Sequence, residues 1–193
     1  LKGDVVTAVR RLISGKPYDV SMGRIKTPWG QRYFIEMAGA GLDAAAVYGL
    51  NRRIKVYAGA GAYILSGINC IVNESFQRMT VSVNGSVIAC NTVILSNGAC
   101  YGGNIRMAPQ ADIRQPSLYA TVFRYGHRLE MFAAVADVFR GRHASGKSKY
   151  VEHIEFREMA IETDSFHIHV DGDYFSRTPA EVDIVERALR LVY

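Results

Sequence analysis

Residues 75–95 read SFQRMTVSVNGSVIACNTVIL, and this stretch decides the fold. From Ser75 to Val83, Phe76, Arg78, Thr80 and Ser82 alternate with Gln77, Met79, Val81 and Val83, a period of two that puts one set on each face of a strand. Asn84-Gly85 follows, the dipeptide that best tolerates the two positive φ angles of a type I′ turn, and Val87 to Leu95 returns as the partner strand. The expectation is an antiparallel hairpin.

On its C-terminal side the chain continues as Thr92–Asp112, TVILSNGACYGGNIRMAPQAD. A buried strand here enters tight turns at Ser96-Asn97-Gly98 and Gly102-Gly103, where glycine marks either positive φ or a close approach by a strand or ligand. Leu118 to Arg124 reads as a strand, and Leu129, Phe132, Ala133, Val135, Ala136 and Phe139 form a helical stripe over 128–140 that stops at Gly141. Tyr150 to Glu162 and Phe166 to Val170 alternate again, and Ala188 to Val192 is a closing strand. On the N-terminal side, Asp4 caps a short amphipathic helix stopped by Gly15-Lys16-Pro17, and Tyr18 to Ala38 reads as a hairpin about Thr27-Pro28-Trp29-Gly30. Met37 to Ala46 is a strand running through glycines into a helix over 41–50, and a further helix is expected over 57–72. Many short strands with two to four helices predict a mainly β (α+β) fold, an antiparallel β-sandwich with peripheral helices.

At 193 residues and 49% hydrophobic content the chain can fill one core. Cys70, Cys90 and Cys100 have no C-x-x-C spacing, which suggests neither a disulfide framework nor a zinc knuckle and fits a reducing, cytoplasmic setting. The net charge of +5 favours an anionic partner, a membrane surface or a nucleotide. No RNP-type aromatic strand, zinc finger or long basic helix supports nucleic acid. Basic residues gather in Arg52-Arg53-Lys55 and in Arg140–Lys149, RGRHASGKSK. The uncharged stretch Val56 to Asn73 is short and interrupted for a bilayer span and reads as a buried helix. An opening at Leu1 with no basic-then-apolar leader gives the expectation of a fragment without a signal peptide.

Three constellations could carry chemistry. Gly39-x-Gly41 before a helix could cradle a phosphate, but there is no third glycine or Lys-Ser/Thr, and Asp43 at the helix start would repel one; Asp43 reads otherwise as a helix cap. His167, His169 and Asp171 alternate along one strand face, a side-chain set that could hold Zn²⁺ or another divalent ion. Asp171-Gly172-Asp173, read alone, is an ordinary turn between strands.

Asn97-Gly98, Tyr101-Gly102-Gly103 and Met107-Ala108-Pro109 with Ala111 two beyond the proline together resemble the C-terminal domain of the diacylglycerol kinase and sphingosine kinase-like lipid kinases. Leu129–His143 is similar to that family's helix ending in Arg/Lys-Gly-Lys/Arg-His, and Tyr150–His153 to the strand after it. Val170-Asp171-Gly172-Asp173 resembles the family's Val-Asp-Gly-Glu, and Thr178-Pro179 with Arg187–Arg190 its closing strands.

The resemblance implies an enzyme that moves the γ-phosphoryl group of ATP, with Mg²⁺, to the hydroxyl of diacylglycerol or a related lipid alcohol. It makes 1–17 the segment joining to an N-terminal nucleotide-binding domain, whose Gly-Gly-Asp-Gly-Thr loop this chain lacks, and 18–193 the β-sandwich supplying the lipid pocket. Asp173 then takes the catalytic position, one methylene shorter than the usual Glu, while Asp43 and Asn97 lie on the substrate side. Arg114-Gln115-Pro116 stands where many bacterial members have an Asp-Asp-Gly linked to Mg²⁺, so no metal or nucleotide site is expected in this fragment, which should be inactive alone. The implied location is cytoplasmic and peripheral to an anionic membrane. The alternative is a non-catalytic lipid-binding β-sandwich.

Overall fold

The computed structural model describes residues 5–49, 76–101 and 105–192. The helix expected over 57–72, Cys70 and the Arg52-Arg53-Lys55 cluster lie outside them. Among the described residues, twelve strands form two six-stranded antiparallel sheets. One sheet holds β2 (Gly30–Phe34), β1 (Pro17–Thr27), β12 (Ala180–Val192), β9 (Glu158–Ile161), β4 (Met79–Val83) and β5 (Ser86–Cys90), in that order. The other runs β11 (Asp173–Arg177), β10 (His167–Val170), β3 (Met37–Ala40), β6 (Thr92–Ser96), β7 (Leu118–Phe123) and β8 (Val151–Phe156). The expected sandwich is present, with α1 (Val5–Ser14), α2 (Leu42–Gly49) and α3 (Arg128–Phe139) around it.

The hairpin at Asn84-Gly85 forms with Val83 opposite Ser86, both turn residues at positive φ (+50° and +74°). Met79, Val81 and Val83 turn inward, as their alternation requires. They join Ile25, Phe34, Leu95, Leu118, Phe156, Ile161 and Ile168 in a core between the two sheets. A second apolar cluster lies on the outer face of the second sheet, where Met107, Met131, Ala134 and Val138 cover Ile94, Phe123 and Val151.

Three segments that read as single strands are each cut into two, because the chain passes there from one sheet to the other. Arg32–Ala38 divides at Ile35-Glu36 into β2 and β3, Val87–Leu95 at Asn91 into β5 and β6, and Tyr150–Glu162 at Arg157 into β8 and β9. A polar side chain fixes each corner. Asn91 donates to Gln77 O (3.0 Å) and accepts from Tyr125 N (2.9 Å), and Arg157 donates to Pro116 O (2.9 Å). The closing strand is also longer than the sequence suggests. β12 begins at Ala180 and pairs with β1 from Glu181 to Val192, interrupted by a bulge between Val20 and Met22.

The stripe expected to bury α3 points the other way. Met131, Ala134, Asp137 and Val138 are buried, while Leu129, Phe132 and Phe139 are exposed. Small and medium side chains let the helix sit close on the sheet, and hydrophobicity alone did not separate its two sides.

Candidate functional site

The site grows from the connection between β3 and α2. Gly41, at φ +99°, turns the chain out of the sheet where a Cβ would meet Asn91 O at 2.4 Å. The Thr92 hydroxyl then accepts the Leu42 N–H (3.1 Å) and caps α2 from a neighbouring strand. This folds α2 back across β10 and β3 and sets Asp43, in its first turn, over the sheet.

Asp43 meets two partners distant in sequence. Its Oδ2 accepts from His169 Nε2 on β10, and its Oδ1 accepts from the Tyr101 hydroxyl. His169 is buried and the Asp43 side chain is only 13% exposed. The floor beneath them is Gly39, opposite His169 on β3, where a Cβ would lie 2.6 Å from both Asp43 Oδ2 and His169 Nε2. Burial acts to push the Asp43 carboxyl up, but the His169 charge and the hydrogen bonds from His169 and Tyr101 outweigh it, so the group sits below the usual carboxylate range.

Beside this cluster stands an aromatic wall. The Tyr48 ring of α2 stacks on His167 (centroids 4.1 Å apart, 18° between planes), and Tyr174 of β11 lies 4.9 Å from Tyr48 and 5.6 Å from His167. Burial, then Arg177, lowers the His167 pKa, which keeps the stacked ring neutral near pH 7. The arrangement offers a held carboxylate next to an apolar, partly exposed surface.

A second group of residues gathers at one end of the same sheet. The register of β10 with β11, β3 with β6 and β3 with β10 brings Asp171, Asp173, Glu36 and Asn97 together there. Asp173 opens β11 and is exposed. Asp171, at φ +46°, accepts from Ile35 N (3.0 Å), Glu36 N (3.0 Å) and Met37 N (2.9 Å). It clamps the β2–β3 corner against the turn that presents Asp173.

Of the residues singled out in the sequence, Asp43 lies between α2 and His169 of β10, Asp173 lies exposed at the start of β11, and Asn97 lies at neither place. Asn97 is fully buried and donates through Nδ2 to Ser21 O and Ile35 O, both at 2.9 Å, which ties β6 to β1 and the same corner. The metal reading of His167, His169 and Asp171 is corrected: His169 is bonded to Asp43, Asp171 to three backbone N–H groups, and His167 is stacked on Tyr48. Among the described residues no group of three His, Cys, Asp or Glu could hold a metal ion. Asp112, beside the altered Arg114-Gln115-Pro116 stretch, is itself bonded to the Arg114 guanidinium (2.6 Å to Nη2), which lowers its pKa and occupies it as a ligand. Tyr101 and the pairing of His169 with Asp43 went unrecognised in the sequence, since they join residues 58 and 126 positions apart.

Residues 36–193 match the family described as the YegS C-terminal NAD kinase beta sandwich-like domain. The chain belongs to this family. It is 21% identical over 98% of its length to a diacylglycerol kinase of Bacillus subtilis (strain 168), covering 61% of that protein. It is also 23% identical over 94% of its length to a diacylglycerol kinase of Mycobacterium tuberculosis, covering 59% of it. The crystal structure of a diacylglycerol kinase from Bacillus anthracis str. Sterne superposes with a TM-score of 0.65 at 15% identity, over 98% of this chain and 61% of that one, and shares its fold. The chain thus spans about three fifths of the length of the curated relatives it matches.

The Asp43 cluster carries a stability prediction. A carboxyl whose folded pKa is depressed contributes stability that is present above its unfolded value, about 4, and is lost as pH falls through the folded value. Asp43→Asn is expected to cost about 3–5 kcal/mol at pH 7, the range for breaking a buried ion pair, with the difference from wild type shrinking below about pH 4. Urea denaturation at several pH values measures both effects.

Proposed function

We propose that the chain is the acceptor-side half of an ATP-dependent lipid kinase, supplying the lipid pocket and one wall of an active site completed by a nucleotide-binding domain. The carrying observation is the Asp43–His169–Tyr101 cluster, beside an aromatic wall and on the sheet that presents Asp173, in a chain whose relatives are named diacylglycerol kinases. A carboxylate held ionised by His169 can accept the hydrogen bond of a lipid hydroxyl and orient it, while Tyr48 and Tyr174 face the apolar part of the lipid. In the transfer, the acceptor oxygen bonds to the γ-phosphorus, the bond to the β–γ bridging oxygen breaks, and the hydroxyl proton passes to a carboxylate. Asp173, exposed at the strand start, is assigned that proton or the orientation of the donor.

ATP and Mg²⁺ would supply the phosphoryl group and neutralise its charge from the side of the nucleotide-binding domain. Asp112 is unsuited to the metal because Arg114 engages it. The same reading accounts for α1, whose Val5, Leu12 and Ile13 form an exposed apolar face that a second domain of the polypeptide would cover. Among the described residues no helix is long and apolar enough to cross a membrane.

Residues 1–193 alone are expected to show no nucleotide-dependent phosphorylation of diacylglycerol, and to gain it when the upstream domain is present. Turnover by 1–193 alone contradicts the assignment. Copurified lipid without turnover, even with the upstream domain present, favours a non-catalytic lipid-binding module.

A further inference from the structure

The outward stripe of α3 leads directly into the most basic loop of the chain. Leu129, Phe132 and Phe139 are 76%, 46% and 67% exposed and share one side of the helix, opposite the buried Met131, Ala134 and Val138. The helix ends in Arg140–Lys149, which carries Arg140, Arg142, Lys147 and Lys149 and no acidic residue. The carboxylates packed nearby are engaged. Asp137 is buried 3.5 Å from Arg142, Glu152 is paired with Arg124, and Glu130 accepts from Gly126 N.

Between this loop and β8 lies a cavity of about 500 Å³, bordered by Arg124 with its partner Glu152, and by His143, Ser148, Lys149 and His153. Its histidines are fixed: His143 Nε2 is 3.0 Å from Arg106 O, His153 Nδ1 is 3.1 Å from the Thr121 hydroxyl, and the two rings are 5.4 Å apart. Ser148 Oγ accepts from Tyr150 N (3.3 Å), so its hydroxyl hydrogen remains to be donated. Lys149 and the Ser148 hydroxyl in its wall, beside the basic Arg140–Lys149 loop, suit a phosphate, and an aromatic stripe next to them suits the boundary between headgroups and acyl chains.

We propose that α3 and the Arg140–Lys149 loop form a membrane-docking face, in which Leu129, Phe132 and Phe139 enter the lipid interface and the cavity receives the phosphate of an anionic phospholipid headgroup. This inference is independent of the transfer reaction. It places the basic charge where the surface potential of an anionic leaflet acts, within a Debye length of the bilayer.

Sedimentation of the chain with phosphatidylcholine vesicles, with and without phosphatidylglycerol, tests it and needs no nucleotide. Binding is expected to require phosphatidylglycerol and to weaken with salt. It should fall about tenfold or more in Phe132→Asp/Phe139→Asp and likewise in Lys147→Glu/Lys149→Glu. All four positions are solvent-facing, so circular dichroism should remain that of the wild type. Millimolar inorganic phosphate should displace little protein, since the free ion lacks the apolar contacts. Equal binding to phosphatidylcholine alone, wild-type binding by both variants, or full displacement by inorganic phosphate would overturn the proposal. So would self-association without vesicle binding that the phenylalanine variant abolishes, because the face would then be a contact between copies of the chain.

Discussion

Asp173→Asn in the complete protein is expected to lower the proposed lipid-kinase turnover by about two to four orders of magnitude, the span for loss of a positioned acid–base group, with folding almost unchanged. The substitution keeps the shape and removes the charge. Asp173 is exposed at the first residue of β11, where its backbone pairs with Val170. Asp173→Glu restores the length usual in the resembling family and should keep or raise the rate. Steady-state turnover measured with thermal unfolding separates the two effects. Near-wild-type turnover in Asp173→Asn, or a loss that follows the loss of folded protein, would remove Asp173 from the mechanism.

Asp171, two residues earlier, should behave in the opposite way. Its carboxylate takes three backbone N–H groups at 2.9–3.0 Å, and its own N–H donates to Met37 O at 2.8 Å. Asp171→Ala leaves those donors without their acceptor and puts an alanine at φ +46°, for a loss of about 3 kcal/mol. Asp171→Asn keeps one acceptor oxygen and a side chain that tolerates positive φ, so roughly half of that loss is expected. Chemical denaturation of the chain measures both. A change under about 0.5 kcal/mol for Asp171→Ala would mean that the corner is held by other contacts. The two aspartates share one turn and divide its work, one holding the corner and the other facing outward.

Local pattern made the strands legible and left the sheets unassigned. Alternation through Met79, Val81 and Val83 and the Asn84-Gly85 turn identified a hairpin, and the structure turns those three side chains inward. The strand-forming pattern ran on through Asn91 and Arg157, because a strand that changes sheets stays extended while its partners change. What marks these corners is a polar side chain reaching distant backbone groups, such as Asn91 on Gln77 O, which no local window contains. In α3 the larger apolar residues lie on the exposed side and Ala134 lies on the sheet, so counting hydrophobic residues selected the wrong face.

The site was legible in part for a related reason. Asp43 and Asp173 stood out through family resemblance, and they lie apart, Asp43 against His169 of β10 and Asp173 exposed at the start of β11. Asn97 stood out in the same way and is buried, donating to Ser21 O and Ile35 O. His169 was visible only as one of an alternating His-x-His-x-Asp set, and its bond to Asp43 arises from α2 folding back over β10. Such a pairing depends on tertiary topology, and nothing in the spacing of the residues encodes it.

The central claim is that this sheet face receives the lipid hydroxyl of a phosphoryl-transfer reaction. Its most direct test is transfer of labelled γ-phosphate from ATP to a total lipid extract, with diacylglycerol as the reference acceptor, by the complete protein and its Asp43→Asn variant. The account predicts label in a lipid phosphate for the wild type and, for Asp43→Asn, a KM for the lipid raised about tenfold or more while the KM for ATP is unchanged. No labelled lipid from the folded wild-type protein, or an unchanged lipid KM in the variant, would contradict it.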